Sequence, residues 1–300
     1  MLRRIVHLNK DIKDMLPARK PDGHKGTFGK VFIYSGSYGS AGCALLAGRA
    51  AYRTGAGMVK IASPDCNRVI IQTALPEALY DTDEFARRMN ITDKWPDVYL
   101  AGPGIGCSEE SINNLDALIN GSGNKPLVLD ADALTIISSD AGRYLIEDIR
   151  RGAGEGREII LTPHGGELHR LMKILPQDSS ELKKLSDTLP GGPADDDRIP
   201  LGIAISKYLG CTVVAKGAVT YVITPGKDIY ENNDCGNSGM GTAGSGDVLA
   251  GIVAGLLAQG LDAHTAASYG VRIHALAGDR AAKAKCEHAL MAGDIAEYIY

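Results

Sequence analysis

The chain has 300 residues, 44% of them hydrophobic and 23% charged, with a formal net charge of -4 and an isoelectric point near 6.0. That composition supplies a sizeable core and excludes the basic patch or stripe by which nucleic-acid-binding domains are known. The six cysteines (Cys43, Cys66, Cys107, Cys211, Cys235 and Cys286) are scattered without a CxxC pair, which argues against a disulfide framework or a structural zinc site and for a reducing, cytoplasmic setting.

Residues 1–20 read as a short N-terminal extension with no apolar stretch of signal-peptide length. Runs rich in Val, Ile and Leu follow at Val31–Tyr34, Met58–Ala62, Val98–Ala101, Leu127–Leu129, Ile159–Leu161, Thr212–Ala215 and Tyr221–Ile223. Helical patterns separate most of them, at Cys43–Thr54, Glu109–Asn120, Glu167–Leu175 and Ile199–Leu209. Short strands alternating with helices predict an α/β fold with a mainly parallel central sheet, flanked by helices on both faces. The last two runs are close together in the chain, which predicts an antiparallel hairpin at the sheet edge. The stretch Gln177–Pro200, containing LPGGPADDD, reads as an exposed loop within one domain of residues 1–300, because the alternation resumes after it. Helices dominate from Val248, with Ala-rich faces over Ala263–Ala284 and a closing turn near Ile295–Tyr300. The longest apolar run, around Val248–Ala258, is too short to span a bilayer.

The most informative stretch is Gly239–Gly251, reading GMGTAGSGDVLAG. Gly241, Gly244 and Gly246 crowd together just before an apolar helix. Glycine lets successive backbone N–H groups turn toward one point, and the helix adds a positive end worth roughly half a charge. Together they make an anion site suited to phosphate. Asp247 falls in the first helical turn, where a carboxylate is electrostatically awkward beside phosphate unless it has a task. The useful task is taking the proton from a hydroxyl that attacks phosphorus. The plainer alternative is a glycine-rich turn with Asp247 stabilising the helix start. No GxxxxGK[ST] string occurs, and no GxGxxG follows a strand, so neither a P-loop nor a Rossmann dinucleotide site is indicated.

A glycine-rich loop ending in Gly-Asp and opening a helix resembles the anion hole and catalytic aspartate of the ribokinase-like superfamily. The longer string Gly236–Gly260 is more similar still to the NAD(P)H-hydrate dehydratases. Other segments follow in that family's order: HKGTFGKVFIYSGS (His24–Ser37), GRAAYRTGAGMV (Gly48–Val59), AGPGIG (Ala101–Gly106), LVLDADAL (Leu127–Leu134), LTPHGGE (Leu161–Glu167) and AKGAVT (Ala215–Thr220). The resemblance spans nearly the whole chain. It implies a lyase that repairs hydrated NADH and NADPH, phosphorylating the ring hydroxyl with ADP, or with ATP as in other branches, so that phosphate loss restores the cofactor. It implies Asp247 as the base. It implies nucleotide binding by Lys216, Gly217, Ala218, Val219 and Thr220, and phosphate binding by Ala243, Gly244, Ser245 and Gly246. It implies substrate contacts from Cys43, Gly106 and His164 as well as Asp247. Mg²⁺ with the nucleotide, a cytoplasmic location and a homo-oligomer such as a homotetramer complete the expectation, with no nucleic acid and no membrane.

The same residues carry plainer readings. His164, after Thr162-Pro163 at a strand end, suits a ligand position, since ligands bind at strand C-terminal ends in open α/β sheets; it could equally be a plain helix N-terminal residue. Asp132 reads either as a helix cap or, with Asp130, as a group facing substrate or a magnesium-bound water. Lys216 and Gly217 read as nucleotide contacts or as ordinary hairpin residues, and the glycines around Pro103 as a tight loop or as room for a bulky dinucleotide. Two departures from the family stand out: Cys43 replaces the usual Ala, and one of Gly165-Gly166 replaces the more usual Pro. The epimerase domain fused to some members is not expected here. The rival readings are a kinase of the same superfamily, phosphorylating a vitamin-precursor alcohol such as hydroxyethylthiazole, and a nucleotide-binding regulator without catalysis.

Overall fold

The computed structural model describes residues 4–85, 95–176 and 197–300; residues 177–196 of the loop expected at Gln177–Pro200 therefore lie outside the described residues. Among the described residues ten strands form one sheet: β1 (Ile5–Val6), β2 (Lys30–Tyr34), β3 (Met58–Ser63), β4 (Leu79–Thr82), β5 (Val98–Ala101), β6 (Leu127–Leu129), β7 (Ile159–Leu161), β8 (Thr212–Ala215), β9 (Thr220–Ile223) and β10 (Ile229–Asn232). Their order is β1-β10-β9-β8-β7-β6-β5-β2-β3-β4. β9 runs antiparallel to both of its neighbours, and the other pairings are parallel. The hairpin β8–β9 is thus present but is not outermost, because β10 and β1 extend the sheet beyond it.

Successive side chains of a strand point to opposite faces, so a strand covered on both sides reads as a continuous apolar run. Val31, Ile33, Val59, Ile61, Val98 and Leu100 enter one core. Its covering helices include α1 (Ile12–Met15), α2 (Ala41–Arg53) and α3 (Arg68–Ala74). Phe32, Tyr34, Tyr99, Ala101, Leu127 and Leu129 enter the other. That face is covered by α4 (Glu109–Gly121), α5 (Asp132–Ile137), α6 (Leu145–Gly154), α7 (Gly165–Leu171) and α8 (Arg198–Leu209). The first core is completed by α9 (Ser245–Ala258), α10 (Ala263–Lys285) and α11 (Ala292–Glu297).

Helix α9 positions the chemistry. It is buried from Val248 to Ala258, as expected of a helix apolar on all sides. A Cβ at Gly251 would overlap the Ala47 backbone, and one at Gly255 would sit 3.0 Å from the Ala51 carbonyl oxygen. These glycines let α9 lie directly on α2. Its N-terminus comes to the C-terminal ends of the parallel strands, where open α/β sheets bind ligands.

Candidate active site

Four strand ends and one helix start converge. Gly102–Gly106 follows β5, Asp130 follows β6, His164 follows β7 and Lys216 follows β8; His164 and Lys216 pair as an isolated parallel bridge. Gly244, at φ +89°, is the left-handed residue that turns the chain into α9. Gly246 faces the charged centre: a Cβ there would lie 3.2 Å from Lys216 Nζ and 3.8 Å from Asp130 Oδ2. Lys216 Nζ donates to Asp130 Oδ1 at 2.8 Å, and the Asp130 side chain is only 1% exposed. Burial alone would lower the Lys216 pKa, but Asp130, Glu167 and Asp247 outweigh it and hold it raised, so Lys216 is a fixed cation beside the glycine loop. Breaking a buried pair by removing one partner strands the other charge and costs about 3–5 kcal/mol. Lys216→Met should therefore lower unfolding stability by that order in denaturant titration. A double variant, Lys216→Met with Asp130→Leu, should recover part of the loss; a Lys216→Met protein as stable as the parent would show that the pair is not a structural tie.

The carboxyl of Asp247 is pushed up from the ordinary carboxylate value to about 6, first by burial and then by the negative charge of Asp130. A hydrogen bond from the Cys43 thiol and the charge of Lys216 pull the other way, and Asp132 adds a smaller upward push. Cys43 in turn is raised to about 12, by burial and then by Asp247, so it stays a thiol. The usual Ala at this position could not donate that bond.

A cavity of about 760 Å³ opens on one side of the loop, lined by His164, Lys216, Gly217, Ala218, Thr220, Ser245 and Gly246 among the sequence-predicted residues. Val219 turns its carbonyl to Arg198 instead. Cys43, Gly104 and Asp247 gather on the other side: a Cβ on Gly104 would sit 2.8 Å from Cys43 Sγ, and Gly244 is flanked by Leu46 of α2 and by the Asp247 carboxylate. Ala243 is exposed on the connecting loop. The loop thus has the cavity on one side and Cys43, Gly104 and Asp247 on the other, two half-sites, with Gly106 two residues beyond Gly104.

His164 is the N-cap of α7: its Nδ1 accepts from the Gly166 amide at 3.0 Å, and its own amide donates to Glu167 Oε2 at 2.8 Å. The ring is therefore both a cap and part of the cavity wall. Asp132 does not cap α5, whose N-cap is Ala131 without a side-chain bond; its Oδ2 accepts from the Gly106 amide at 2.8 Å. Ala131 has φ 49° and ψ -117°, a conformation costing of order 1–3 kcal/mol for a non-glycine residue.

Sequence reasoning missed the far wall, built from Asn232, Cys235, Asn237, Met240, Val271, His274 and Ala275. His274 Nε2 lies 3.2 Å from Ser245 Oγ. Burial, then the charge of Lys216, drops its pKa to about 4, so the imidazole is neutral at physiological pH. It sits within α10 on an Ala-rich helix, and no spacing in the sequence marks it. Among the described residues no three His, Cys, Asp or Glu side chains form a metal cluster, and no helix is long and apolar enough to cross a membrane.

A glycine-turned helix start, a fixed lysine and a carboxylate of raised pKa, set at the C-terminal ends of a parallel sheet, are the groups that phosphoryl transfer to a hydroxyl calls for. Residues 31–300 match the family model described as NAD(P)H-hydrate dehydratase, and the chain belongs to that family. It is 37% identical over 282 residues to the ADP-dependent (S)-NAD(P)H-hydrate dehydratase of Neisseria meningitidis, covering 93% of this chain and 86% of that one. It spans about half the length of the bifunctional NAD(P)H-hydrate repair enzymes of Moorella thermoacetica and Escherichia coli. Among solved structures, a ribokinase-like superfamily protein of Enterococcus faecalis superposes with TM-score 0.77 at 24% identity, over 98% of this chain and 94% of that one. The ADP/ATP-dependent NAD(P)H-hydrate dehydratase of Bacillus subtilis, co-crystallised with ATP and Mg²⁺, gives 0.74 at 26% identity, over 96% and 93%.

Proposed function

We propose that this chain is an ADP-dependent dehydratase of hydrated NADH and NADPH, able in principle to use ATP, and that Asp247 is its catalytic base. The observation that carries the reading is the Asp247 carboxylate, raised to about 6 at the start of α9 between a nucleotide-sized cavity and the Cys43–Gly106 wall. The nucleotide occupies the cavity, with Lys216–Thr220 along it and its phosphates on the amides of Ala243–Gly246. The hydrated nicotinamide lies against Cys43 and Gly106, and its contact with His164, which lines the nucleotide cavity, falls where the two half-sites meet. Asp247 takes the ring hydroxyl proton as that oxygen attacks the terminal phosphorus, leaving AMP when ADP is the donor. The phosphorylated oxygen is then a good leaving group. The ring nitrogen pushes it out, and loss of the neighbouring ring proton restores the double bond.

Mg²⁺ binds preferentially through one or two carboxylates together with substrate phosphates and waters. The reading therefore has the ion arrive on the nucleotide. The reading further places the enzyme in the cytoplasm as one domain and as a homo-oligomer, which sedimentation would count.

Incubation with hydrated NADH, Mg²⁺ and ADP should yield NADH, AMP and inorganic phosphate in equal amounts, followed by phosphorus NMR. In a vitamin-precursor alcohol such as hydroxyethylthiazole the hydroxyl-bearing carbon is not bonded to a ring nitrogen that could expel phosphate, so its ester would persist. A stable phosphomonoester without free phosphate would overturn the dehydratase reading and leave the kinase. The pH dependence follows from the base. Asp247 must be ionised to accept a proton, so kcat/KM should fall as pH drops through about 6 and level off above it. A profile flat from pH 5 to 8 would remove Asp247 as the base.

A further inference from the structure

We infer that Asp132 is a positioning residue of the dehydration site: its carboxylate clamps the Gly106 amide and so fixes the wall on which the hydrated ring rests. The inference rests on the dehydratase reading for the identity of that ring.

The loop it holds is anchored point by point, and Asp132 supplies the tie at its last glycine. Gly102, Gly104 and Gly106 all have positive φ, at 130°, 66° and 72°; Ile105 is buried in the second core and anchors the stretch just before Gly106, where a Cβ would meet nothing within 4 Å. Pro103 is tied to Ser35 and Gly36, whose hydroxyl and amide donate to its carbonyl at 2.6 Å and 2.8 Å. Ser111 Oγ holds the Ile105 carbonyl at 2.8 Å. At Gly106 the tie is Asp132 Oδ2, 26 residues away in the chain, at 2.8 Å. A capping aspartate would bond to the amides of its own first turn, and Asp132 bonds to Gly106 instead.

The residue before it explains how one turn reaches both half-sites. At φ 49° and ψ -117°, Ala131 sends Asp130 to Lys216 on the nucleotide side and Asp132 to Gly106 on the hydrate side. Strain of this kind persists where surrounding contacts over-determine it, and the two hydrogen-bonded carboxylates are those contacts. The charge of Asp132 also reaches the base. The groups acting on Asp247 are Asp130, the Cys43 thiol, Lys216 and Asp132, and Asp132 shifts it upward. Asp132 therefore has a geometric effect, through Gly106, and an electrostatic one, on Asp247.

Two variants separate these effects. Asp132→Asn keeps an acceptor oxygen for Gly106 and removes the charge; Asp132→Ala removes both. Loss of a charge-assisted hydrogen bond corresponds to roughly a tenfold to hundredfold loss of affinity. Asp132→Ala should raise KM for hydrated NADH by that factor and leave KM for ADP unchanged. Asp132→Asn should keep the hydrate KM near the parent value and move the midpoint of the pH profile to lower pH. Hydrogen exchange at the Gly106 amide, measured without substrate, should be slow in the parent and in Asp132→Asn and fast in Asp132→Ala. A parental hydrate KM in Asp132→Ala would overturn the inference, as would an equal rise in both KM values, which would mark a merely structural residue. If the parent itself turned over no hydrate, the dehydratase reading would fail, and exchange alone would decide the clamp. A fast Gly106 amide in Asp132→Ala would sustain it, and a protected one would end it.

Discussion

Asp247→Asn should abolish turnover while leaving the nucleotide bound and the protein more stable than its parent. Asparagine matches the shape of aspartate but cannot take a proton from the attacking hydroxyl. Removal of a general base typically lowers the rate about 10²–10⁴-fold. ADP affinity should be kept, because the cavity wall is formed by Lys216, Gly217, Ala218, Thr220, Ser245, Gly246 and the His274 side, and not by Asp247. The stability gain follows from linkage. Asp247 titrates near 6 in the fold against 3.8 for an ordinary aspartate, so the fold disfavours the charged form. That cost is absent below pH 3.8, grows between 3.8 and 6 as the unfolded chain ionises first, and is fully present above 6. A shift of this size corresponds to about 2–3 kcal/mol at neutral pH. Removing the charge should raise the unfolding midpoint above pH 6 and change little near pH 3.5. Turnover within a few-fold of the parent would exclude Asp247 as the base, and unchanged stability across this pH range would mean that its carboxyl titrates normally.

The same residue shows what the sequence made legible. A string of glycines opening an apolar helix has few purposes besides holding an anion, and the Asp247 carboxylate beside it has few besides proton transfer. The loop and the carboxylate could be singled out without coordinates because both lie within one short stretch of chain; their roles as phosphate site and base are what we propose for them. The central strands were legible for a similar reason: burial on both faces makes a run such as Val98–Ala101 apolar throughout. β1, β4 and β10 were not, because the outer strands carry residues such as Asp81, Glu231 and Asn232 that break the apolar run. The far cavity wall was hidden because His274 reaches Ser245 only through the packing of α10 against α9. Asp132 was ambiguous because a helix-start aspartate usually caps, and only the positive φ of Ala131 sends it to Gly106. Cys43 was visible as a departure from the family's usual Ala, but its bond to the base depends on α2 lying directly against α9.

Gly246→Ala and Gly244→Ala should fail in different ways, although the sequence alone places both in one phosphate loop. Gly246 sits in the first turn of α9, without a positive φ, and a Cβ there would meet Lys216 Nζ at 3.2 Å and Asp130 Oδ2 at 3.8 Å. The methyl would occupy the space the transferring phosphate needs, while the helix itself would accept alanine at least as readily as glycine. Gly246→Ala should therefore unfold at or above the parental temperature and lose activity at saturating ADP. Loss of one oxyanion-type donor costs roughly 10²–10³-fold, and a blocked approach has the same consequence. Gly244 has φ +89°, and its Cβ would overlap Leu46 Cδ1 and lie 3.2 Å from Ala292 Cβ. Alanine there meets backbone strain of about 1–3 kcal/mol as well as a clash with α2 and α11. Gly244→Ala should lose stability and turnover together. Thermal unfolding beside single-turnover kinetics separates the two cases. A Gly246→Ala enzyme that folds normally and works at the parental rate would show that the start of α9 does not hold the phosphate, and the anion site would then have to be sought nearer Lys216 and Gly217.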